Sequence, residues 1–189
     1  MRVIGGTLRG RKLGLLQGRS IRPTSDRVRE ALFNILGSKP VDATILDLFA
    51  GTGALGIEAL SRGAKQAVFI DKAPQTIHVL RKNIALCGLE ARSRIIQWDI
   101  VKSLGCLQAY HQAFDLVFLD PPYHQAMVQS ALEHLLRSGT LADDAWIVVE
   151  QPFKEAVMPT ATGLICEDHR RYGHTMLTFF TVSGEHIAS

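Results

Sequence analysis

The chain has 189 residues, of which 47% are hydrophobic and 21% are charged, and its formal net charge is +3. This length suits one α/β domain, which we place at 1–189. Its three cysteines make no C-x-x-C pair, and we find neither an apolar secretion signal nor a run long enough to span a membrane. We therefore predict no disulfide framework, no zinc site and no membrane anchor, and we expect a cytoplasmic protein.

Basic charge is concentrated at the start of the chain. Residues 1–30 contain eight basic and two acidic side chains. A basic end on a mildly acidic body favours a polyanionic partner such as a nucleic acid, although a solvated tail would have the same composition. The glycine-rich, loosely alternating residues 1–22 predict short strands, and thus a basic N-terminal β-hairpin arm appended to the domain.

The rest of the chain alternates between strand and helix patterns. A first helix follows the candidate caps Thr24 and Ser25 and ends at Gly37. Further helices are predicted at 53–60, 74–87 and 125–137, and strands at 44–49, 66–70, 94–98, 114–119 and 145–149, with the last strands near 163–168 and 175–182. This alternation predicts a parallel sheet with helices on both faces.

A glycine motif lies between the first of these strands and the next helix. Gly51, Gly53 and Gly56 match the G-x-G-x-x-G spacing of a dinucleotide site. However, Asp47 at the strand end would repel a pyrophosphate, and it suits a cationic ligand such as S-adenosylmethionine (SAM), which carries an ammonium and a sulfonium. We therefore predict a SAM site, with an NAD-dependent oxidoreductase as the alternative.

Acidic residues also follow the next three strands. Asp71 lies about 20 residues beyond the glycines, where a carboxylate can accept hydrogen bonds from ribose hydroxyls. Asp99 is predicted to accept the adenine amine of the cofactor, with Ile100 against the ring. Together with Asp47 and Asp120, these carboxylates close four parallel strands at one edge. They would repel one another unless cations or donors lay between them.

The most specific motif is Asp120-Pro121-Pro122-Tyr123, directly after the fourth strand. The prolines fix φ and stiffen the loop. The Asp120 carboxylate and the Pro121 carbonyl can accept both hydrogens of an exocyclic amine, and Tyr123 can stack on its base. This arrangement would turn the nitrogen lone pair toward a methyl group, so catalysis would come mainly from positioning. All four residues are predicted to be catalytic.

These motifs resemble those of known enzymes. Asp-x-Phe-x-Gly-x-Gly followed by Asp-Pro-Pro-Tyr resembles class I amino-methyltransferases that act on N6 of adenine or N2 of guanine. The stretches 2–13, 22–34, 55–63 and 171–175 are similar to the RsmD family, the 16S rRNA (guanine(966)-N(2))-methyltransferases. The resemblance implies a Rossmann-like class I SAM-dependent fold with a seven-stranded, mostly parallel sheet and an N-terminal β-hairpin.

The resemblance also implies substrate and site residues. The product would be N2-methylguanine in 16S rRNA, in a 30S subunit or an assembly intermediate. Residues expected to bind the cofactor are Asp47, Phe49, Ala50, Gly51, Gly53, Asp71, Lys72, Asp99, Ile100 and Asp120. Residues expected to bind RNA are Arg2, Arg9, Arg11, Lys12, Arg22, Thr24 and Arg27.

Two further alternatives stay open. Asp-Pro-Pro-Tyr fits an N6-adenine methyltransferase on DNA or RNA equally well, since both targets present a planar amine. A non-catalytic RNA-binding protein of ribosome assembly is the other, although four intact acidic strand ends argue against it. We expect no metal, because the seven histidines show no ligand spacing and His111, His124 and His134 are expected at the surface. Nothing indicates an oligomer, so a monomer is expected.

Overall fold

The structure is a computed structural model that describes residues 1–16, 25–110, 112–122, 125–156 and 163–183. Within these ranges, four α-helices and seven strands alternate as the sequence predicts. The helices are α1 Asp26–Leu36, α2 Ala54–Ser61, α3 Pro74–Cys87 and α4 Gln125–Arg137. The strands are β1 Thr44–Leu48, β2 Gln66–Asp71, β3 Ser93–Gln97, β4 Phe114–Leu119, β5 Leu141–Pro152, β6 Leu164–Tyr172 and β7 Thr175–Val182.

Local sequence signals account for the helix ends. The Ser25 side chain accepts a hydrogen bond from the Val28 amide at 3.2 Å and so caps α1, which ends at Gly37 with φ of 56°. Pro74 opens α3, and the left-handed Gly88 closes it. These bounds agree with the predicted helices to within one or two residues.

The seven strands form one sheet in the order β3-β2-β1-β4-β5-β7-β6. Pairing is parallel from β3 through β5, whereas β7 runs antiparallel to both of its neighbours. The chain reverses its direction of travel across the sheet between β1 and β4. Open α/β sheets bind their ligands at such a switch point, outside the carboxyl ends of the strands. The predicted seven-stranded, mostly parallel sheet is therefore confirmed.

Both faces of the sheet are covered by helices, as predicted. Strand residues alternate between two cores. Ile45, Phe69 and Phe118 pack with residues of α1, α2 and α3 on one face. Their strand neighbours, including Leu46 and Val117, pack with α4 on the other face. No helix among the described residues is long and apolar enough to cross a membrane.

Strands β5 and β6 are longer than predicted. Strand β5 continues through Pro152 because its last seven residues pair with β7, from Trp146↔Thr181 to Pro152↔Thr175. Strand β6 extends to Tyr172 by the same kind of pairing. The polar residues in these extensions gave no strand pattern in the sequence. Cross-strand hydrogen bonds, which sequence periodicity does not report, decided their length.

The N-terminal segment, defined here as residues 1–16, has less regular structure than the predicted hairpin. It has one antiparallel bridge, Arg2↔Lys12, around a short 3₁₀ turn at Gly6–Leu8. The amides of Ile4 and Gly5 donate to the Glu58 side chain of α2, so they cannot extend a strand ladder. A hairpin of regular strands is therefore not confirmed. Residues 17–22 of the predicted arm lie outside the described residues.

Candidate functional site

A tight loop joins β1 to α2 at the switch point of the sheet. We call residues 49–53 the glycine loop. The Ala50 amide donates to the Ile70 carbonyl at 3.0 Å, and the Gly53 amide donates to the Ala50 carbonyl at 2.7 Å. Gly53 has φ of +81°, and a Cβ there would lie 2.4 Å from Leu80 Cδ1. The backbone conformation therefore favours glycine at this position, and a larger residue would also force Leu80 to move.

Gly51 and Phe49 differ from Gly53 in what surrounds them. A Cβ on Gly51, whose φ is +57°, would meet only the Phe49 carbonyl oxygen within 4 Å, at 3.8 Å. Packing of the described residues therefore leaves space beside Gly51. Phe49 itself has φ of 59°, a left-handed conformation that is strained for a bulky residue. Strained backbone of this kind concentrates at ligand sites.

Asp47 lies deeper than the sequence suggested. Its side chain was expected to point into the pocket, but the residue is only 2% exposed, and its Oδ2 accepts the Gly56 amide at 2.9 Å. Burial raises the pKa of Asp47 to about 8, the Gly56 hydrogen bond opposes this rise, and the nearby Asp71 adds to it. Asp47 thus braces the first turn of α2 from below the glycine loop.

Asp71 links the glycine loop to the next helix. Its Oδ2 accepts the Gly51 amide at 3.0 Å, and its Oδ1 accepts the Ala73 amide at 2.9 Å. Each oxygen keeps a second lone pair for another donor. The next residue, Lys72, is exposed, and its carbonyl accepts from Gln97 Nε2 at 3.3 Å. The two predicted motifs, around Gly51 and Asp71, are therefore hydrogen-bonded to each other and belong to one site.

Asp99 and Ile100 follow β3 on the same edge of the sheet. Asp99 is half-buried, and its Oδ1 accepts the Val101 amide at 3.3 Å. Ile100 is 2% exposed and packs in the core under α4. Its carbonyl oxygen lies 3.0 Å from Nδ1 of His134, which is half-buried on α4. His134, expected at the surface, is thus only partly exposed, and its side chain holds the backbone of the loop after β3. His111 and His124 lie outside the described residues.

The Asp120-Pro121-Pro122 segment lies next to the glycine loop. Leu48 of β1 pairs with Leu119 of β4, so the residues that follow them leave neighbouring strands at the same level. Strand spacing puts the two loops about 4.8 Å apart at that level. Asp120 is half-buried, Pro121 is buried and Pro122 is exposed. Tyr123 lies outside the described residues.

The basic residues predicted to bind RNA are exposed where the structure describes them. These are Arg2, Arg9, Arg11, Lys12 and Arg27. Arg2 also lies 3.6 Å from the Asp26 carboxylate. Arg22 and Thr24 lie outside the described residues. The ends of the N-terminal segment approach the glycine loop, since Gly14 and Thr52 are both hydrogen-bonded to Asn83.

Sequence reasoning missed the anchor that holds this segment. Glu58 of α2 is fully buried and accepts the amides of Ile4 at 2.7 Å and Gly5 at 2.8 Å. It also accepts Arg62 Nε at 2.8 Å and pairs with the buried Arg29 at 3.7 Å. The available signal was a Glu and an Arg at (i, i+4) spacing on an otherwise apolar helix.

Ser61 continues the same anchor. Its Oγ donates to the Gly5 carbonyl at 2.6 Å and accepts the Leu8 amide at 2.9 Å. A Cβ on Gly6 would lie 1.8 Å from the Ser61 carbonyl oxygen, so backbone contacts backbone here. Residues 5–8 therefore pack beside the last turn of α2, about 12 Å along the helix from the glycine loop.

The strand order, the glycine loop and the acidic strand ends together define a class I SAM-dependent methyltransferase fold. Among the described residues, no cluster of three or more His, Cys, Asp or Glu side chains could hold a metal ion. The family model described as "Conserved hypothetical protein 95" matches residues 1–181. The chain belongs to this family, the RsmD family, which confirms the membership predicted from its motifs.

Individual relatives agree with this family. The chain is 41% identical to ribosomal RNA small subunit methyltransferase D of Escherichia coli (strain K12) over 160 residues, which are 85% of this chain and 78% of that protein. It is 42% identical to the protein of the same name from Haemophilus influenzae over 154 residues, or 79% and 78% of the two chains. A solved hypothetical protein of Thermus thermophilus matches with a TM-score of 0.77 and 34% identity, covering 95% of this chain and 98% of that one.

Proposed function

We propose that this protein transfers a methyl group from SAM to the exocyclic N2 of a guanine in 16S rRNA, on an assembling 30S particle in the cytoplasm. The observation that carries the proposal is the Asp120-Pro121-Pro122 segment beside the glycine loop at the switch point of the sheet. The names of the E. coli and H. influenzae relatives support the rRNA substrate. The guanine and its N2 atom come from the resemblance to the RsmD family.

The site residues fit a nucleoside cofactor without a phosphate. The space beside Gly51 admits a ligand close to the backbone. Asp71 and Asp99 are half-buried carboxylates, suited to ribose hydroxyls and to the adenine amine respectively. Ile100 would pack against the ring, and Phe49, Ala50 and Lys72 would line the same pocket. Asp47 acts beneath the loop, by fixing the first turn of α2.

The reaction at the substrate nitrogen depends mainly on how that nitrogen is oriented toward the methyl group. When bound, SAM supplies a methyl group that its sulfonium has already activated. The Asp120 carboxylate and the Pro121 carbonyl accept the two amine hydrogens, which turns the nitrogen lone pair toward that methyl. With SAM bound, the lone pair would form the new N–C bond as the S–C bond breaks, so that S-adenosylhomocysteine (SAH) is the leaving group. Asp120 would accept the proton that the nitrogen then loses.

The remaining predicted residues would hold the RNA. Pro122 stiffens the loop, and Tyr123 stacks on the target base. Arg2, Arg9, Arg11, Lys12 and Arg27 would contact phosphates together with Arg22 and Thr24. We also propose that the chain forms one domain over 1–189 with a basic appendage at 1–22, and that the protein is a monomer.

Two measurements test this function. Calorimetry should show that SAH binds and that NADH does not, whereas NADH binding alone would establish the oxidoreductase alternative. Labelled SAM should then methylate 16S rRNA or 30S particles from cells that lack this gene, and mass mapping should find the methyl group on guanine N2. Transfer to adenine only would establish the N6-adenine alternative, and SAH binding without any transfer would favour the non-catalytic one.

A further inference from the structure

On one side of the Asp120-Pro121-Pro122 segment, the sheet extends beyond the ends of its parallel strands. Leu119 pairs with Val149, yet β5 continues for three more residues to Pro152. At about 3.3 Å per residue, this extension rises about 10 Å beyond the level of Leu119, the residue before Asp120, one strand away from it. The β6–β7 turn lies at the same height, since Pro152 and Tyr172 both pair with Thr175.

The exposed residues at this height form a compact cationic and aromatic surface. We call it the β5–β7 tip, and its residues are Phe153, Lys154, Arg171 and His174. The Phe153 amide donates to the His174 carbonyl at 2.7 Å, which ties the two parts of the tip together. All four residues are exposed, although Phe153 is a large apolar side chain.

Arg171 is held in a defined orientation at the tip. Its guanidinium carbon lies 3.7 Å from the centre of the Phe153 ring, and its Nε donates to the Gly173 carbonyl at 2.9 Å. The neighbouring Arg170 behaves differently, since its Nε pairs with Asp168 at 2.7 Å. A guanidinium fixed on one face by a ring keeps its other face for a base and its terminal nitrogens for a phosphate.

We propose that the β5–β7 tip binds the RNA strand that flanks the target nucleotide, through Arg171 stacked on Phe153. The inference rests on the proposed function, because it requires a single-stranded RNA segment to enter the site beside Asp120. The tip lies on the β5 side of that site, whereas the N-terminal segment contacts α2 and α3 on the other side. The RNA would thus be held on both sides of the base that is methylated.

The test compares two adjacent arginines on one exposed strand. Arg171→Ala should weaken binding of a 16S rRNA transcript about tenfold, the size expected when one base stack is removed. It should also reduce the slope of log affinity against log salt by about 0.7 if Arg171 binds one phosphate. Arg170→Ala, which removes the same charge from the opposite face of β6, should leave both quantities near the wild-type values.

Methylation kinetics separate this proposal from the proposed function. Arg171→Ala should raise the KM for RNA with kcat and SAH affinity unchanged, because a flanking contact is equally strong in the ground and transition states. Equal RNA affinity for the wild type and Arg171→Ala, or an equal loss in Arg170→Ala, would overturn the role of the tip. If the wild type binds SAH but methylates neither the transcript nor 30S particles, the proposed function fails instead.

Discussion

The carboxyl edge of β1–β4 and the N-terminal segment place their ionisable side chains in opposite ways. At the edge, Asp47 and Asp71 accept hydrogen bonds from backbone amides of the glycine loop and its helix. In the N-terminal segment, exposed arginines and a lysine face outward, while the backbone is bound by a buried acid of another element, Glu58. At the edge, side chains of the strand ends hold the backbone of the adjoining glycine loop and helix. The backbone of the N-terminal segment is instead held by Glu58 of α2.

Helix α2 connects the two regions. Asp47 fixes its first turn through Gly56, and Glu58 and Ser61 fix the N-terminal segment to its later turns. This helix of eight residues therefore sets the distance between the glycine loop and much of the proposed RNA-binding surface. Substitutions in the two regions that this helix connects should separate stability, catalysis and RNA binding.

The largest effect is expected from Glu58→Ala. This change removes one of the two carboxylates that pair with the buried Arg29, leaving only Asp26, and frees two amides of the N-terminal segment, so the free energy of unfolding should fall by about 3–5 kcal/mol. The matched control is Glu133→Ala, which removes an exposed (i, i+4) pair with Arg137 and should cost less than about 1 kcal/mol. Urea unfolding measures both, and equal losses would show that Glu58 is not an anchor.

Asp120→Ala should have the next largest effect, on catalysis alone. Loss of one preoriented acceptor should lower kcat by roughly 10²–10³-fold, while calorimetry still detects SAH binding. Asp144→Ala removes an exposed carboxylate from the opposite end of β5 and should leave turnover unchanged. Full turnover in Asp120→Ala would refute the assigned role of this carboxylate.

A smaller effect is expected from the double substitution of Arg9 and Arg11 by alanine. RNA affinity should fall by about tenfold at low salt, and the salt dependence should weaken by about 0.7 for each phosphate that the variant no longer binds. SAH affinity should not change, because these exposed side chains are not among the residues expected to bind the cofactor. Replacing Arg92 and Arg137 by alanine removes the same charge, and an equal loss there would mean that net charge alone attracts the RNA.

The effect that depends most on pH is expected at Asp47. Its pKa is raised from 3.8 to about 8 in the folded protein, so the folded chain keeps a proton that the unfolded chain releases. This contribution to stability is complete below about pH 4 and is lost as the pH rises toward 8. Asp47→Asn lacks this contribution. The free energy of unfolding of the variant, measured in urea, should therefore rise relative to that of the wild type between about pH 5 and pH 8. A pH-independent difference would mean that Asp47 is ionised in the fold.

Much of the fold could be predicted, for local reasons. Caps such as Ser25, the left-handed Gly88 and the buried apolar strands define elements within a few residues of their own sequence. The predicted hairpin is not confirmed as a regular structure, because the amides of Ile4 and Gly5 bind Glu58, more than 50 residues away. The depth of Asp47 and the contact of His134 with Ile100 depended in the same way on neighbours from distant elements.

The sequence by itself determined the family, the order of strands and helices, and the two motifs that follow β1 and β4. These depend on residue types at fixed spacing, which short-range sterics and hydrogen bonding translate directly into turns and strand ends. Only the tertiary structure decided which carboxylates are buried, what anchors the N-terminal segment and how far β5 rises beside Asp120. Those properties depend on distance between residues that are remote in sequence, and burial then fixes which charges are used inside the fold and which can face a partner.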